Sequence, residues 1–230
     1  MAKNATTMLQ IALCTLYGLF AISIEAAPRT FDLDGQNPSD LARRAGNLCV
    51  QAKALSAFLA SRGQPLPPTI NARLLKAAAQ GHAKEADAIL SGLSLLEIHI
   101  NPESRVKVAR GSARAELKVG ENSLLLVRIS NEAGVTGPLT CTIPQRSVLP
   151  GAEAIPVAGW LKVRVISILG TASEQRLNGT PIEYALLSLS TQEAGLREAT
   201  LSFDVGQGTQ DLGFRGELPV LFRCIPTRSK

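Results

Sequence analysis

The chain has 230 residues, a formal net charge of +5 and 19% charged residues. Basic and acidic residues are interleaved and no Lys/Arg run forms a stripe, which argues against a nucleic-acid-binding protein. The roughly two hundred residues beyond the N-terminal apolar segment suffice for one good core plus a small appendage.

Lys3 is followed by an apolar, uncharged run over residues 8–24 (MLQIALCTLYGLFAISI), then by Glu25-Ala26-Ala27-Pro28. This predicts a signal peptide over 1–26, cleaved after Ala26 so that Pro28 is not the first mature residue. The alternative is retention as an anchor, because the run is nearly long enough to span a bilayer. No other stretch is apolar and long enough, so no membrane span is expected after cleavage. The expected location is exported: periplasmic, cell envelope or extracellular. Cys14 falls inside the signal. Cys49, Cys141 and Cys224 remain, and an odd number in an oxidising compartment allows at most one intramolecular bridge.

Residues 27–36 read as a flexible polar lead. Residues 37–92 read as a helical appendage of two or three helices. Asn37 or Ser39 can cap its start, with Pro38 in the first turn. Leu41, Ala45, Leu48, Ala52, Leu55 and Leu59 recur at alternating spacings of four and three, which places one apolar stripe on a helix. Gly63 and the stiff QPLPP connector end it. From Thr69 the pattern gives two short helices broken at Gly81, with Ala-rich faces suited to close packing.

Near Leu93 the period changes to two. Leu96, Ile98 and Ile100 alternate with Glu97 and His99. Leu125, Val127 and Ile129 share a face, as do Leu139, Cys141 and Ile143. Leu161, Val163 and Val165 oppose Lys162 and Arg164. Ala199, Leu201, Phe203 and Val205 oppose Thr200, Ser202 and Asp204. Leu218, Val220, Phe222 and Cys224 form the last set. Alternation of this kind predicts strands with one buried face. With RVKVA, ARAELKV and EYALLSLS, eight or nine short strands fill residues 93–226. The expected fold is therefore mainly β: an antiparallel Ig-like β-sandwich of about eight strands, preceded by the helices. Residues 227–230 are a tail.

The glycine-rich stretch DVGQGTQDLGFRGE (204–217) raises three readings. A dinucleotide loop needs a helix after its glycines; here another strand follows, and Asp211 occupies the place of the third glycine. A calcium loop needs six to eight oxygens, and Asp204 and Asp211 supply only two carboxylates. The favoured reading is a bulge and wide hairpin turn, with Gly206 and Gly208 supplying backbone freedom.

Groups that would signal catalysis are missing. His82 and His99 are expected on the surface, and no H-x-H, H-E-x-x-H, C-x-x-C or G-x-S-x-G motif occurs. Cys49 reads as a small core residue, and Asp32 and Asp34 as solvated charges in the lead. No catalytic residue, metal site or cofactor is expected. Trp160 alternates onto the Lys162 and Arg164 face, where it covers the sandwich edge or the helices, or else forms an exposed binding aromatic. Cys141 and Cys224 both fall on inward faces. If their strands face each other, a bridge across the core could add about 4–5 kcal/mol in the chain-entropy model. The alternative is that both pack as free thiols.

INPESRVKVARG (100–111) and GLREATLSFDVGQGTQDLGFRGELPVLF (195–222) resemble the N-terminal β-sandwich region of exported bacterial proteins that carry a CehA/McbA-like metallohydrolase domain of the PHP superfamily. The resemblance covers roughly residues 70–226 and implies non-catalytic framework. The histidine and carboxylate cluster of that hydrolase has no counterpart here, so none of its catalytic residues can be carried over. The leading expectation is a secreted, non-catalytic module for protein interaction or envelope organisation, with another envelope or secreted protein as partner. The alternative is an accessory or targeting region split from a metal-dependent hydrolase. A third reading, resting on Trp160, is a carbohydrate-binding module.

Overall fold

The computed structural model describes residues 38–146, 155–156, 159–168, 176–206 and 214–227, with the side chains of the first helix from residue 48 onward. The signal (1–26), the lead (27–36), Gly208, Asp211 and residues 228–230 lie outside them.

Three helices come first: α1 (Pro38–Ser61), α2 (Pro68–Ala79) and α3 (Ala83–Ser91). Their order and breaks follow the heptad-like spacing and the glycines. Leu48, Ala52, Leu55 and Leu59 form the buried stripe of α1. The helix stops where Gly63 turns left-handed at φ 70°, a conformation that costs a glycine little. The Gln64 N–H then returns to the Leu59 carbonyl at 3.0 Å. Ala77, Ala78 and Ala86 are buried where α2 and α3 approach each other.

Among the described residues eleven strands follow: β1 (Ser94–Ile100), β2 (Val106–Arg110), β3 (Glu116–Lys118), β4 (Asn122–Asn131), β5 (Thr140–Thr142), β6 (Gln145–Arg146), β7 (Ile155–Pro156), β8 (Leu161–Ser167), β9 (Ile182–Thr191), β10 (Gly195–Asp204) and β11 (Gly216–Ile225). Nine of them build the two sheets of a sandwich, in the orders β2-β1-β4-β9-β8 and β3-β11-β10-β5. Strands β6 and β7 pair only with each other. The mainly β, sandwich-like fold preceded by helices is thus as expected.

Two details correct the purely antiparallel picture. Strand β1 runs parallel to β4, and β3 runs parallel to β11. Parallel neighbours need a crossover rather than a tight turn. Here the chain leaves β1 through the β2 hairpin, visits the other sheet as β3, and returns beside β1 as β4.

A second correction concerns burial. Alternation predicts one buried face per strand, and that holds for β10 and β11. Strands β4 and β9, however, are apolar on both faces where the helices cover them. Val127, Ile129, Leu187 and Leu189 point into the inter-sheet core with Phe203 and Phe222. Leu126, Tyr184 and Leu186 point the other way and pack with Leu55, Leu74 and Leu90 of the helices. The result is three layers: helices, five-stranded sheet, four-stranded sheet. Each fully buried Leu or Phe contributes about 1.5–3 kcal/mol of transfer free energy, so the helical layer is an integral second core.

Candidate functional site

The glycine-rich stretch joins β10 to β11, which pair antiparallel, so a strand and not a helix follows the glycines. Asp204 Oδ1 accepts the Gly206 N–H at 2.6 Å, and Oδ2 lies 3.5 Å from Arg215 Nε. Both carboxylate oxygens are thereby engaged locally. Gly206 has φ 72°, and a Cβ there would lie 2.9 Å from the Pro138 ring, so the turn needs glycine for conformation and for space. Asp204, Gly206 and Arg215 thus flank the connection between two antiparallel strands, whose residues 207–213 lie outside the described ones. No cluster of three His, Cys, Asp or Glu suited to a metal occurs among the described residues.

Cys141 and Cys224 are both buried, as the alternation predicts, but both are free. The premise of a bridge fails because their strands do not face each other. They belong to the same sheet, with β10 between them. Cys141 stands opposite Phe203 near one end of β10, and Cys224 opposite Gly195 at the other. At about 3.3 Å per residue that separation is roughly 25 Å along the strand, far beyond disulfide reach. Burial pushes both thiols above the ordinary range, which keeps them protonated and unreactive. Cys49 is also free and sits in the helical core.

His82 is exposed and His99 half-buried, 3.6 Å from Glu85 and 3.7 Å from Glu132 respectively. Trp160 precedes β8 in a turn, so strand alternation does not govern it. Its ring packs edge-on against Phe222, with centroids 6.1 Å apart at 71°. It closes the sandwich edge, one of the two structural roles expected for it.

Two polar networks, one part-buried and one buried, were not anticipated. Between α3 and the sheet, Asp87 accepts Arg128 Nε and Nη2, each at 2.9 Å, and the Tyr184 hydroxyl at 2.5 Å. Burial opposes the Asp87 carboxylate, yet Arg128 and Tyr184 together hold it below the usual carboxylate range. Glu183 is 3% exposed. It accepts the backbone N–H of Asn178 at 2.6 Å and of Thr180 at 3.1 Å, and the Asn131 amide at 3.3 Å. Burial still pushes its carboxyl up, against those hydrogen bonds. Both networks are saturated by protein partners and fasten elements to one another.

The open site lies on the helix-facing side of the five-stranded sheet, beyond the end of α1. Ladder register builds it row by row. Asn122, Ser190 and Lys162 stand side by side on β4, β9 and β8. The next row is Leu124, Ser188 and Arg164, and the next is Leu126, Leu186 and Ile166. The third row lies under the helices; in the first two only Leu124 packs against the helical core. Short serines on the middle strand, between longer side chains, leave a trough of about 620 Å³. Arg62 and Gln64 form the wall at the end of α1, and Glu121 stands at the rim.

Gln64 fixes that wall. Its Nε2 donates to the Asn122 carbonyl at 2.7 Å, and its Oε1 accepts the Leu124 N–H at 3.0 Å. Pairing of β4 with β1 begins only at Leu126, so this one side chain satisfies the strand edge before β1 starts. Arg62 lies over the Phe58 ring at 5.1 Å. Glu121 is engaged by Lys118 at 3.6 Å. Among the described residues, Arg62, Lys162 and Arg164 have no carboxylate partner. The trough is therefore cationic and rich in donors. Among the described residues its lining contains no histidine or cysteine. Chemically it can hold an anion.

Sequence reasoning placed Lys162 and Arg164 on the polar face of their strand but gave them no role. The available signal was LSLS at the end of β9, where serine replaces the leucine and tyrosine found earlier on the same face.

No family model matches the chain, and no curated protein matches it. Among solved structures, the chain is similar to the ASH/PapD-like domain of human CEP192 (PapD-like domain 7), at 9% identity and a TM-score of 0.29. The match covers 60% of this chain and 89% of that one.

Proposed function

We propose that this chain is an exported, non-catalytic β-sandwich module that works by binding, in protein interaction or envelope organisation, and that the trough beside α1 is its recognition surface. The observation that carries the reading is the set of three cations, Arg62, Lys162 and Arg164, around one concavity, none with a carboxylate partner among the described residues. Cations gathered around a concavity steer and hold an anionic group. The signal-like N-terminus supports export.

The test expresses the full chain in a bacterial host and follows its fractionation and mass. Recovery outside the cytoplasm with Ala27 at the N-terminus is expected. Crosslinking should capture a partner from the exported fraction, and Lys162→Ala with Arg164→Ala should lose it. Hydrolysis of an ester, phosphodiester or peptide that a single point substitution abolishes would sink the non-catalytic reading.

A further inference from the structure

We infer that the trough takes a small organic ligand bearing two phosphate or sulfate esters, one seated between Lys162 and Ser190 and the other between Arg164 and Ser188. This rests on the trough being the binding surface. Each pair faces across the β8–β9 ladder, where directly opposed Cβ atoms lie about 5 Å apart. Each pair thus sets one cation and one hydroxyl side by side on neighbouring strands. The two pairs are two residues apart along the strand, or about 7 Å. Two oxyanions at that spacing would engage both pairs at once.

The donor set favours a tetrahedral oxyanion over a carboxylate. A guanidinium fork, an ammonium and two hydroxyls offer more N–H and O–H groups than two planar carboxylates can accept. A phosphate monoester has three free oxygens and can take a hydroxyl as well as a cation. Arg62, on the opposite wall, adds a third positive charge, and Phe58 holds its guanidinium in place. Three cations against the one carboxylate of Glu121, itself 3.6 Å from Lys118, leave the lining net positive. Leu124, Val163 and Ile166 complete the lining with apolar surface, which suits the carbon skeleton joining the two esters. A volume of about 620 Å³ falls in the range typical of small-molecule sites.

Isothermal titration of the full chain tests this, with four probes: fructose 1,6-bisphosphate, a disulfated disaccharide, inorganic phosphate and polyglutamate. Binding of either bis-ester, weakening as salt rises, is expected. Preference for the first would indicate a free sugar phosphate, and for the second a sulfated glycan. Lys162→Ala and Arg164→Ala should each weaken binding at least about tenfold, and Ser188→Ala or Ser190→Ala about threefold. Lys107→Ala, on β2, should change nothing. An unchanged urea midpoint in each variant shows that folding is intact. The inference is overturned if neither bis-ester binds, if inorganic phosphate binds as tightly as they do, or if polyglutamate binds in their place. Failure of all small probes, with partner capture still lost in the Lys162 and Arg164 variants, overturns this inference and leaves the binding-module reading standing.

Discussion

The helix-facing side of β4 and β9 has two ends that differ in one respect. At one end Leu126, Leu186 and Tyr184 lie beneath the helices. At the other, Asn122, Ser188 and Ser190 lie beyond them, beside Lys162 and Arg164. The strands, ladder and face are the same. What changes is the cover: α1 stops at Ser61, and within two ladder rows the side chains pass from leucine to serine. A surface that could have been core has instead been kept polar and cationic. The end of a packing partner is thus the place to look for a site on an otherwise ordinary sheet.

The largest effect that would sharpen this contrast comes from Leu186→Ala. Leu186 is 1% exposed, so the change should cost about 2–5 kcal/mol, read as a shift in urea midpoint. Ser190→Ala, two rows away on the same face, should stay within about 0.5 kcal/mol. Equal costs would mean that the two ends are not energetically distinct.

Asp87→Asn comes next. It breaks the fork to Arg128, whose two partners are about one-fifth exposed, so the cost should be about 2 kcal/mol, below that of a fully buried pair. The pH dependence follows from the depressed Asp87 carboxyl. The stability it contributes is present above the usual carboxylate value and is lost as pH falls through the lower folded one. Midpoints measured on acidification should therefore fall less steeply in the variant.

Glu183→Gln should cost about 1–2 kcal/mol, because the new amide NH₂ confronts the backbone N–H of either Asn178 or Thr180. Its pH signature has the opposite sign. With the folded carboxyl raised, stability is fullest below the usual carboxylate value and declines as pH rises through the folded one. The glutamine variant should lack that decline. Smallest of all, Lys162→Ala combined with Arg164→Ala should move the midpoint by less than about 0.5 kcal/mol. A substantial loss would mean that these cations serve the fold rather than a ligand.

Much of this architecture was legible in the sequence. The α1 stripe, the breaks at Gly63 and Gly81, and the inward sets on β10 and β11 follow from periods that local geometry imposes. The parallel pairings were not legible, because which strands become neighbours is decided by the crossover through β2 and β3. Nor was the double burial of β9 assigned, since Leu186-Leu187 breaks the alternation when both faces are covered. Trp160 was given an outward face because strand periodicity was extended one residue into a turn. The trough escaped notice because it is assembled from four elements distant in sequence. Only register brings Ser188 and Ser190 beside Arg164 and Lys162.

The three buried thiols have a use of their own. Denatured protein should show Cys49, Cys141 and Cys224 all reactive. In the native state each reacts only when its neighbourhood opens, so alkylation rates become a clock for regional unfolding. Cys49 times the helical layer, Cys141 the three-residue edge strand β5, and Cys224 the C-terminal end of β11. With one reporter in the helical core and two in the sandwich, the chain can reveal without any engineered label whether its two cores melt together or in turn.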